Sequence, residues 1–214
     1  MELLEIVGWI TQITTVAMFT TGIPVCWSMV KTKDARHVPY PFFLLGDIGN
    51  ICFLVYGLMV NDSILISLNL IGAVLNTVYI FAYISVVSSK SHPIQMLIGG
   101  VIYICGLFYF LTYLSPPAVF AHRLGLATSL LNTVMLSTPL FLEIPQHLKE
   151  KSTEGMSMAM LIGTIACASS WTSYGLLVND PFIYMPNVPA ILGAVGKIGL
   201  LVVYGMPGSK TKAE

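Results

Sequence analysis

Seven long apolar runs, separated by short polar segments, make up most of this 214-residue chain. In chain order, called spans 1 to 7 here, they are residues 6–30, 38–60, 64–87, 94–114, 124–144, 156–178 and 181–206. A helix rises about 1.5 Å per residue and needs about 20 apolar residues to cross the hydrocarbon of a bilayer. The runs lack the sustained alternation of a membrane β-barrel. The pattern therefore predicts an all-α integral membrane protein with seven transmembrane helices.

The charge content excludes most other classes of protein. Only 9% of the residues are charged, whereas a soluble domain carries roughly 25%. Ten basic residues balance ten acidic ones, so no basic surface for nucleic acid is expected. Seven spans of about 20 residues also leave only short connections. A soluble enzyme, a nucleic-acid-binding protein, a disordered chain and a large extramembrane domain are all disfavoured.

The basic residues indicate an orientation. If all seven runs span the membrane, only Arg123 falls in a loop on one side, and Lys197 lies inside span 7. The other eight fall on the opposite side: Lys31, Lys33, Arg36, Lys90, Lys149, Lys151, Lys210 and Lys212. Cytoplasmic loops carry the excess of Lys and Arg in membrane proteins. The N-terminus is therefore predicted to lie outside, and residues 208–214 to form a cytosolic tail.

The chain contains an internal repeat. The sequence YGLMVND at residues 56–62 recurs as YGLLVND at residues 174–180, which is 118 residues later. The same separation relates Asn69 to Asn187 and Lys33 to Lys151. A unit of three spans is therefore duplicated. We predict a first repeat over 1–88, a connector helix over 89–117 and a second repeat over 118–207. One connecting span gives both repeats the same orientation, so the arrangement is a parallel 3+1+3.

These features resemble the SWEET family of sugar transporters, a branch of the PQ-loop superfamily and an example of parallel transporter repeats. The shared motifs are the two Tyr-Gly-x-x-x-x-Asp turns, Asn69-x-x-Gly72, Lys151-Ser152-Thr153, Ser170-Trp171 and Pro186-Asn187. The resemblance implies a facilitative uniporter of a mono- or disaccharide in the plasma or Golgi membrane. Family members often form homo-oligomers.

Two amides are the first candidates for binding. Asn69 and Asn187 lie well inside spans 3 and 7, where an amide without a partner is costly. An amide both donates and accepts, which suits a sugar hydroxyl, although it can equally join neighbouring helices. The resemblance favours a sugar pocket that both amides line.

Two aromatic residues, Phe53 and Trp171, obey the same separation and precede the Tyr-Gly turns by three residues. A flat ring can stack on the C–H face of a sugar, or simply pack within the helices. The resemblance implies that a bulky Phe53 favours a monosaccharide such as glucose.

Family members also carry hinge prolines in spans 1, 2, 5 and 6. Pro24 and Pro41 match the first two, and Pro139 is the expected third, with Pro145 as its competitor. The fourth is absent, because Ala159 occupies the position 118 residues after Pro41.

Two charged residues, Asp47 and Lys197, lie in the middle of spans 2 and 7. Charges inside a membrane are rare and normally face a cavity or form a pair. We expect a cavity for both, with an Asp47–Lys197 pair or a snorkelling Lys197 as alternatives.

Two other functions are compatible with parts of the sequence. A PQ-loop carrier of another neutral solute fits the same residues, and a lysine in the last of seven helices is also compatible with retinal binding. The sequence lacks the C-x-x-C, H-E-x-x-H and G-x-S-x-G motifs. We therefore expect no cofactor, no metal and no enzymatic activity.

Overall fold

The structure is a computed structural model that describes residues 2–36, 38 and 40–207. Within these residues, seven helical segments are long and apolar enough to cross a membrane. They are Leu3–Thr32, Tyr40–Val60, Ser63–Val86, Ser91–Tyr113, Pro117–Glu150, Met158–Leu177 and Pro181–Tyr204. The all-α fold with seven membrane-length helices in 3+1+3 order is thus confirmed. The predicted tail, with Lys210 and Lys212, lies outside the described residues.

Four of the seven segments are continuous α-helices. They are α3 (Tyr40–Val60), α4 (Ser63–Val86), α5 (Ser91–Tyr113) and α8 (Met158–Leu177). Their boundaries agree with the predicted spans 2, 3, 4 and 6 within a few residues. These uninterrupted apolar helices satisfy their backbone hydrogen bonds internally, as a bilayer requires.

The other three segments are broken, which the apolar pattern did not predict. Span 1 consists of α1 (Leu3–Thr20) and α2 (Gly22–Thr32). Span 5 contains α6 (Phe120–Leu136), a π-helix (Pro139–Glu143) and α7 (Ile144–Glu150), after a short 3-10 turn (Pro117–Val119). Span 7 contains α9 (Pro181–Tyr184), a 3-10 turn (Met185–Asn187) and α10 (Val188–Tyr204). Every break contains a proline or lies within three residues of one.

The backbone repeats the duplication seen in the sequence. Among the described residues, four non-glycine residues have a positive φ: Lys33 at 54°, Asn61 at 56°, Lys151 at 50° and Asn179 at 55°. They form two pairs that are each 118 residues apart. A positive φ is uncommon outside glycine, although asparagine tolerates it better than most residues. The two repeats therefore turn their chains at equivalent positions and in the same conformation.

Packing inside the two repeats is also equivalent. One core cluster contains Cys26, Met29, Ala35 and Tyr79, with Val38, Phe43 and Ala82 packed against it. A second contains Met156, Leu161, Ala194 and Leu200. Met156, Leu161 and Leu200 follow Val38, Phe43 and Ala82 by 118 residues. The duplicated pattern therefore encodes a duplicated core.

The chain separates into two compact units. One comprises residues 1–14 and 132–214, and the other comprises residues 15–131. The units divide α1 and α6, so their limits differ from the limits predicted for the repeats. Those repeat limits stay a prediction.

Candidate functional site

Each repeat holds one asparagine side chain in the same way. In α4, Asn69 Nδ2 donates to the Leu65 carbonyl oxygen at 2.8 Å. After α9, Asn187 Nδ2 donates to the Ile183 carbonyl oxygen at 2.9 Å. Asn69 is buried and Asn187 is partly buried. Each bond uses one amide hydrogen and fixes the amide plane, while the chemistry of the group provides a second hydrogen and an accepting oxygen.

The backbone around the two asparagines differs. Asn69 lies within the continuous α4, whereas Asn187 ends the 3-10 turn that joins α9 to α10. Pro186 and Pro189 lack the N–H groups that would continue a regular helix through this point. Both amides therefore make the same kind of local hydrogen bond. Asn69 lies in a regular helix, whereas Asn187 lies at an irregular turn.

The two candidate aromatic rings also have equivalent surroundings. Phe53 lies edge-on to Tyr56, with ring centroids 6.3 Å apart. Trp171 lies edge-on to Tyr174 at 6.0 Å. Both tyrosines are buried, whereas Phe53 and Trp171 are only partly buried. The tyrosines thus hold the rings in place and leave part of each ring surface accessible.

The two repeated Tyr-Gly turns explain how these residues are positioned. After α3, the Asp62 N–H donates to the Gly57 carbonyl oxygen at 2.9 Å, and Asp62 Oδ1 accepts from the N–H groups of Ile64 and Leu65. Asp180 repeats the first contact with Gly175 at 2.9 Å and caps α9. An aspartate at this position is a strong N-cap. The Tyr-Gly-x-x-x-x-Asp motif is therefore the structural turn that starts the segment carrying each asparagine.

The first two hinge candidates occupy different local settings. Pro24 is the third residue of α2, just after the break at Thr21. The Thr20 hydroxyl donates to the Ala17 carbonyl oxygen at 2.8 Å, and the Thr21 hydroxyl donates to Met18 at 2.6 Å. Such hydroxyls can satisfy carbonyls freed at a break. Pro41 lies in the first turn of α3, where a missing N–H interrupts no helix bond. The hinge role of both stays a prediction.

In the second repeat, the helix of span 5 changes to π geometry at Pro139. Pro139 has no N–H for the Met135 carbonyl oxygen, which instead accepts from the Thr138 hydroxyl at 2.7 Å. Pro145 is the second residue of α7, and Ala159 is the second residue of α8. Single π turns within helices occur frequently at functional sites. Of the two competitors for the third hinge, Pro139 is therefore the one at an actual irregularity.

The two intramembrane charges have partners of their own. Asp47 is buried in α3, and its Oδ2 accepts from the Thr77 hydroxyl at 3.1 Å. Lys197 Nζ lies 2.5 Å from Glu143 Oε2. The structure thus gives Lys197 a different partner from the one that the sequence suggested. Glu143 was missed because it lies near the end of a predicted span. The available signal was that an acidic residue within an apolar run needs a partner.

Comparison with known proteins is decisive for the family. The model of a family described as "Sugar efflux transporter for intercellular exchange" matches the chain twice, at residues 5–91 and 122–208. The mouse protein named sugar transporter SWEET1 is 33% identical over 192 residues, covering 89% of this chain and 86% of its own. The human protein of that name is 31% identical, with 83% and 80% covered. A rice protein named putative bidirectional sugar transporter SWEET7d is 25% identical, with 94% and 75% covered.

A solved structure has the same fold. The 3.7 Å structure of a eukaryotic SWEET transporter superposes with a TM-score of 0.82, at 22% identity, and covers 94% of this chain and 96% of its own. The double family match favours a sugar transporter over the retinal-binding alternative. The chain belongs to the SWEET family of sugar efflux transporters.

Proposed function

We propose that this protein is a bidirectional facilitative transporter, a uniporter, of a monosaccharide such as glucose. The observation that carries this proposal is the duplicated asparagine. Asn69 and Asn187 each make the same hydrogen bond to their own helix and are neutral. Neutral groups that donate and accept match the hydroxyls of an uncharged polyol. The names of the SWEET1 relatives support the same substrate class.

Four side chains contact the sugar in this proposal. Asn69 and Asn187 bind its hydroxyls, while Phe53 and Trp171 stack on its C–H surface. Apolar walls with a few fixed polar groups are the usual design of a small-molecule site. In this proposal, the phenyl ring of Phe53 takes up space in the site that a second sugar ring would need, which favours a monosaccharide. Asp47 and Lys197 are expected to influence the cavity rather than to bind the sugar.

Transport proceeds by alternating access in this proposal, with bending near Pro24, Pro41, Pro139 and Pro145. The N-terminus faces the outside and the C-terminus the cytosol, since the basic loops favour that orientation. No ion gradient drives the reaction. The lipid bilayer, at the plasma membrane or the Golgi, and a second copy of this chain are the expected partners.

Uptake by transport-deficient cells tests this function. Cells that express the chain, and cells that carry an empty vector, are given labelled glucose, sucrose or a neutral amino acid, with surface protein quantified. We expect glucose uptake above the vector level, less sucrose uptake and no amino-acid uptake. Amino-acid uptake without glucose uptake would favour the alternative, a PQ-loop carrier of another neutral solute. Absence of all uptake with the protein at the surface would refute the proposal.

A further inference from the structure

The π-helix of span 5 contacts α10 at two points, which are four residues apart on each segment. Pro139 and Glu143 are four residues apart on the π-helix, and Gly193 and Lys197 are four residues apart on α10. A Cβ added at Gly193 would lie 3.2 Å from Pro139 Cβ, so the two segments are already in close contact there. One turn further along, Lys197 Nζ meets Glu143 Oε2 at 2.5 Å. Because residue 193 is a glycine, the two segments can approach closely enough for the ion pair to form.

The ion pair is only partly enclosed by the protein. The Lys197 side chain is 16% exposed, whereas the Glu143 side chain is 46% exposed. The Glu143 carboxylate can therefore move away from Lys197 without first unpacking a buried core. Glu143 ends the π-helix, in which each hydrogen-bonded turn holds one residue more than an α turn. The pair therefore joins α10 to the least regular part of span 5.

The first repeat has a related contact, made by different chemistry. Tyr79 precedes Lys197 by 118 residues, and its hydroxyl donates to the Phe19 carbonyl oxygen at 3.1 Å. Phe19 lies just before the break between α1 and α2, and Glu143 is the last residue of the π-helix in span 5. The two partners are not at equivalent repeat positions. In each repeat, the same position of the third span nevertheless contacts the irregular part of the first span, through a neutral hydroxyl at Tyr79 and through a charge at Lys197.

We propose that Glu143 and Lys197 are positioning residues that form a releasable latch on the π-helix of span 5, and that transport requires this latch to open. This inference rests on the proposed function, because opening is assigned to the transport cycle. In the first repeat, Tyr79 at the position equivalent to Lys197 makes a neutral contact with Phe19 instead. Neither Glu143 nor Lys197 contacts the sugar in this proposal, so the latch affects the maximal rate of transport and leaves the apparent KM for sugar unchanged.

A water-soluble carbodiimide tests the latch in the unaltered protein. The reagent activates the Glu143 carboxylate, the Lys197 amine displaces it, and a direct amide bond forms as the carbodiimide becomes its urea. Mass spectrometry of the digested protein detects this bond without any transport assay. We expect the Glu143–Lys197 link in the wild type and none in Lys197→Met or Glu143→Gln. Failure to detect the link in the wild type would overturn the proposal.

The same reagent then tests whether opening is required. Sugar flux of the wild type should fall in proportion to the fraction of chains that carry the link, while the flux of Lys197→Met should not respond. Glu143→Gln serves as the second unreactive variant if Lys197→Met fails to fold. Linked wild-type chains that transport at the unmodified rate would refute the latch. If the link forms but untreated wild type carries no glucose, the proposed function fails and the ion pair stands.

Untreated variants separate a latch from a merely structural contact. We expect loss of either charge to change the maximal rate by about two- to fivefold, with the KM unchanged, because the modest energy of a partly exposed pair corresponds to a change of that size. The exchanged pair Glu143→Lys with Lys197→Glu should recover the wild-type rate. Single variants with the wild-type maximal rate, or with an altered KM alone, would contradict the positioning role.

Discussion

Asn187 donates its side-chain amide to the Ile183 carbonyl oxygen at 2.9 Å, one turn earlier in the chain. Asn69 repeats this bond with Leu65 at 2.8 Å. Residues Ile183 and Leu65 are also 118 residues apart, so both the amide and its acceptor are duplicated. The bond orients each amide before any sugar is present, which reduces the ordering that binding would otherwise require. This preorganisation is the structural basis for the predicted sugar contacts.

Removing either amide should weaken sugar transport. A hydrogen bond to a neutral ligand contributes roughly 0.5–1.5 kcal/mol, so Asn69→Ala or Asn187→Ala should raise the KM for glucose by about two- to tenfold. The double variant, Asn69→Ala with Asn187→Ala, should raise the KM for glucose more than either single variant does. Initial-rate uptake over a range of glucose concentrations, normalised to surface protein, measures the effect.

Asn76→Ala is the matched control, because Asn76 lies seven residues after Asn69 on the same helix α4. Its Nδ2 would lie 3.0 Å from a Cβ added at Gly46, so it packs against α3. An equal rise in KM for the Asn76 variant, or an unchanged KM for the other two, would argue against the proposed contacts.

The ring of Phe53 should determine the size of the sugar. Phe53→Ala removes a large side chain and should increase sucrose uptake relative to glucose uptake, whereas Trp171→Ala should weaken the uptake of both by removing a stacking surface. Competition of unlabelled sucrose against labelled glucose measures the ratio. A sucrose-to-glucose ratio that stays at the wild-type value in Phe53→Ala would rule out this role.

The glycines of the two turns should be needed for stability. A Cβ at Gly57 would lie 2.9 Å from Leu65 Cβ, and one at Gly175 would lie 2.8 Å from the Tyr184 nitrogen. Such overpacking typically costs about 1–3 kcal/mol, so Gly57→Ala and Gly175→Ala should lower the unfolding temperature of the detergent-purified protein.

Gly106→Ala provides the control, since no atom of another described segment lies within 4 Å of its added Cβ and alanine is the better helix former. Thermal unfolding of all three variants should show destabilisation only at the two turns. If Gly106→Ala unfolds as early as the turn variants, the close approach of the helices is not the cause.

Glucose transport should not require a titrating carboxyl at Asp47. Its Oδ2 accepts from the Thr77 hydroxyl, and the amide oxygen of Asp47→Asn can accept the same bond. A uniporter requires no titrating group, so this variant should transport glucose with the same pH profile as the wild type. Accumulation of glucose that depends on a pH gradient in the wild type, and that Asp47→Asn abolishes, would instead identify a proton-coupled carrier.

The sequence predicted the features that depend on composition and spacing. Seven apolar runs were sufficient to predict seven membrane-length helices. The separation of 118 residues between Tyr56 and Tyr174 was sufficient to predict two equivalent turns. Irregular backbone was harder to predict, because a bilayer tolerates a proline wherever nearby hydroxyls satisfy the freed carbonyls. Thr138 does this at the π-helix of Pro139, and nothing in the apolar pattern distinguishes that π-helix from a regular α-helix.

The partner of Lys197 was unpredictable for a related reason. Glu143 meets Lys197 only because the π-helix and Gly193 bring span 5 close to α10. The spacing of residues along two regular helices does not predict how closely those helices approach each other. Local contacts such as those of Asn69 and Asn187 follow from helical spacing, whereas contacts between spans depend on how the helices bend.

Counterflow in proteoliposomes tests most directly the claim that duplicated amides carry sugar by facilitated diffusion. Purified protein is reconstituted into vesicles loaded with unlabelled glucose and diluted into a trace of labelled glucose, with no ion gradient. We predict a transient accumulation of label above the outside concentration in the wild type and a loss of that accumulation in the double variant Asn69→Ala with Asn187→Ala. A wild type without accumulation, or a double variant that accumulates label equally, would contradict the account.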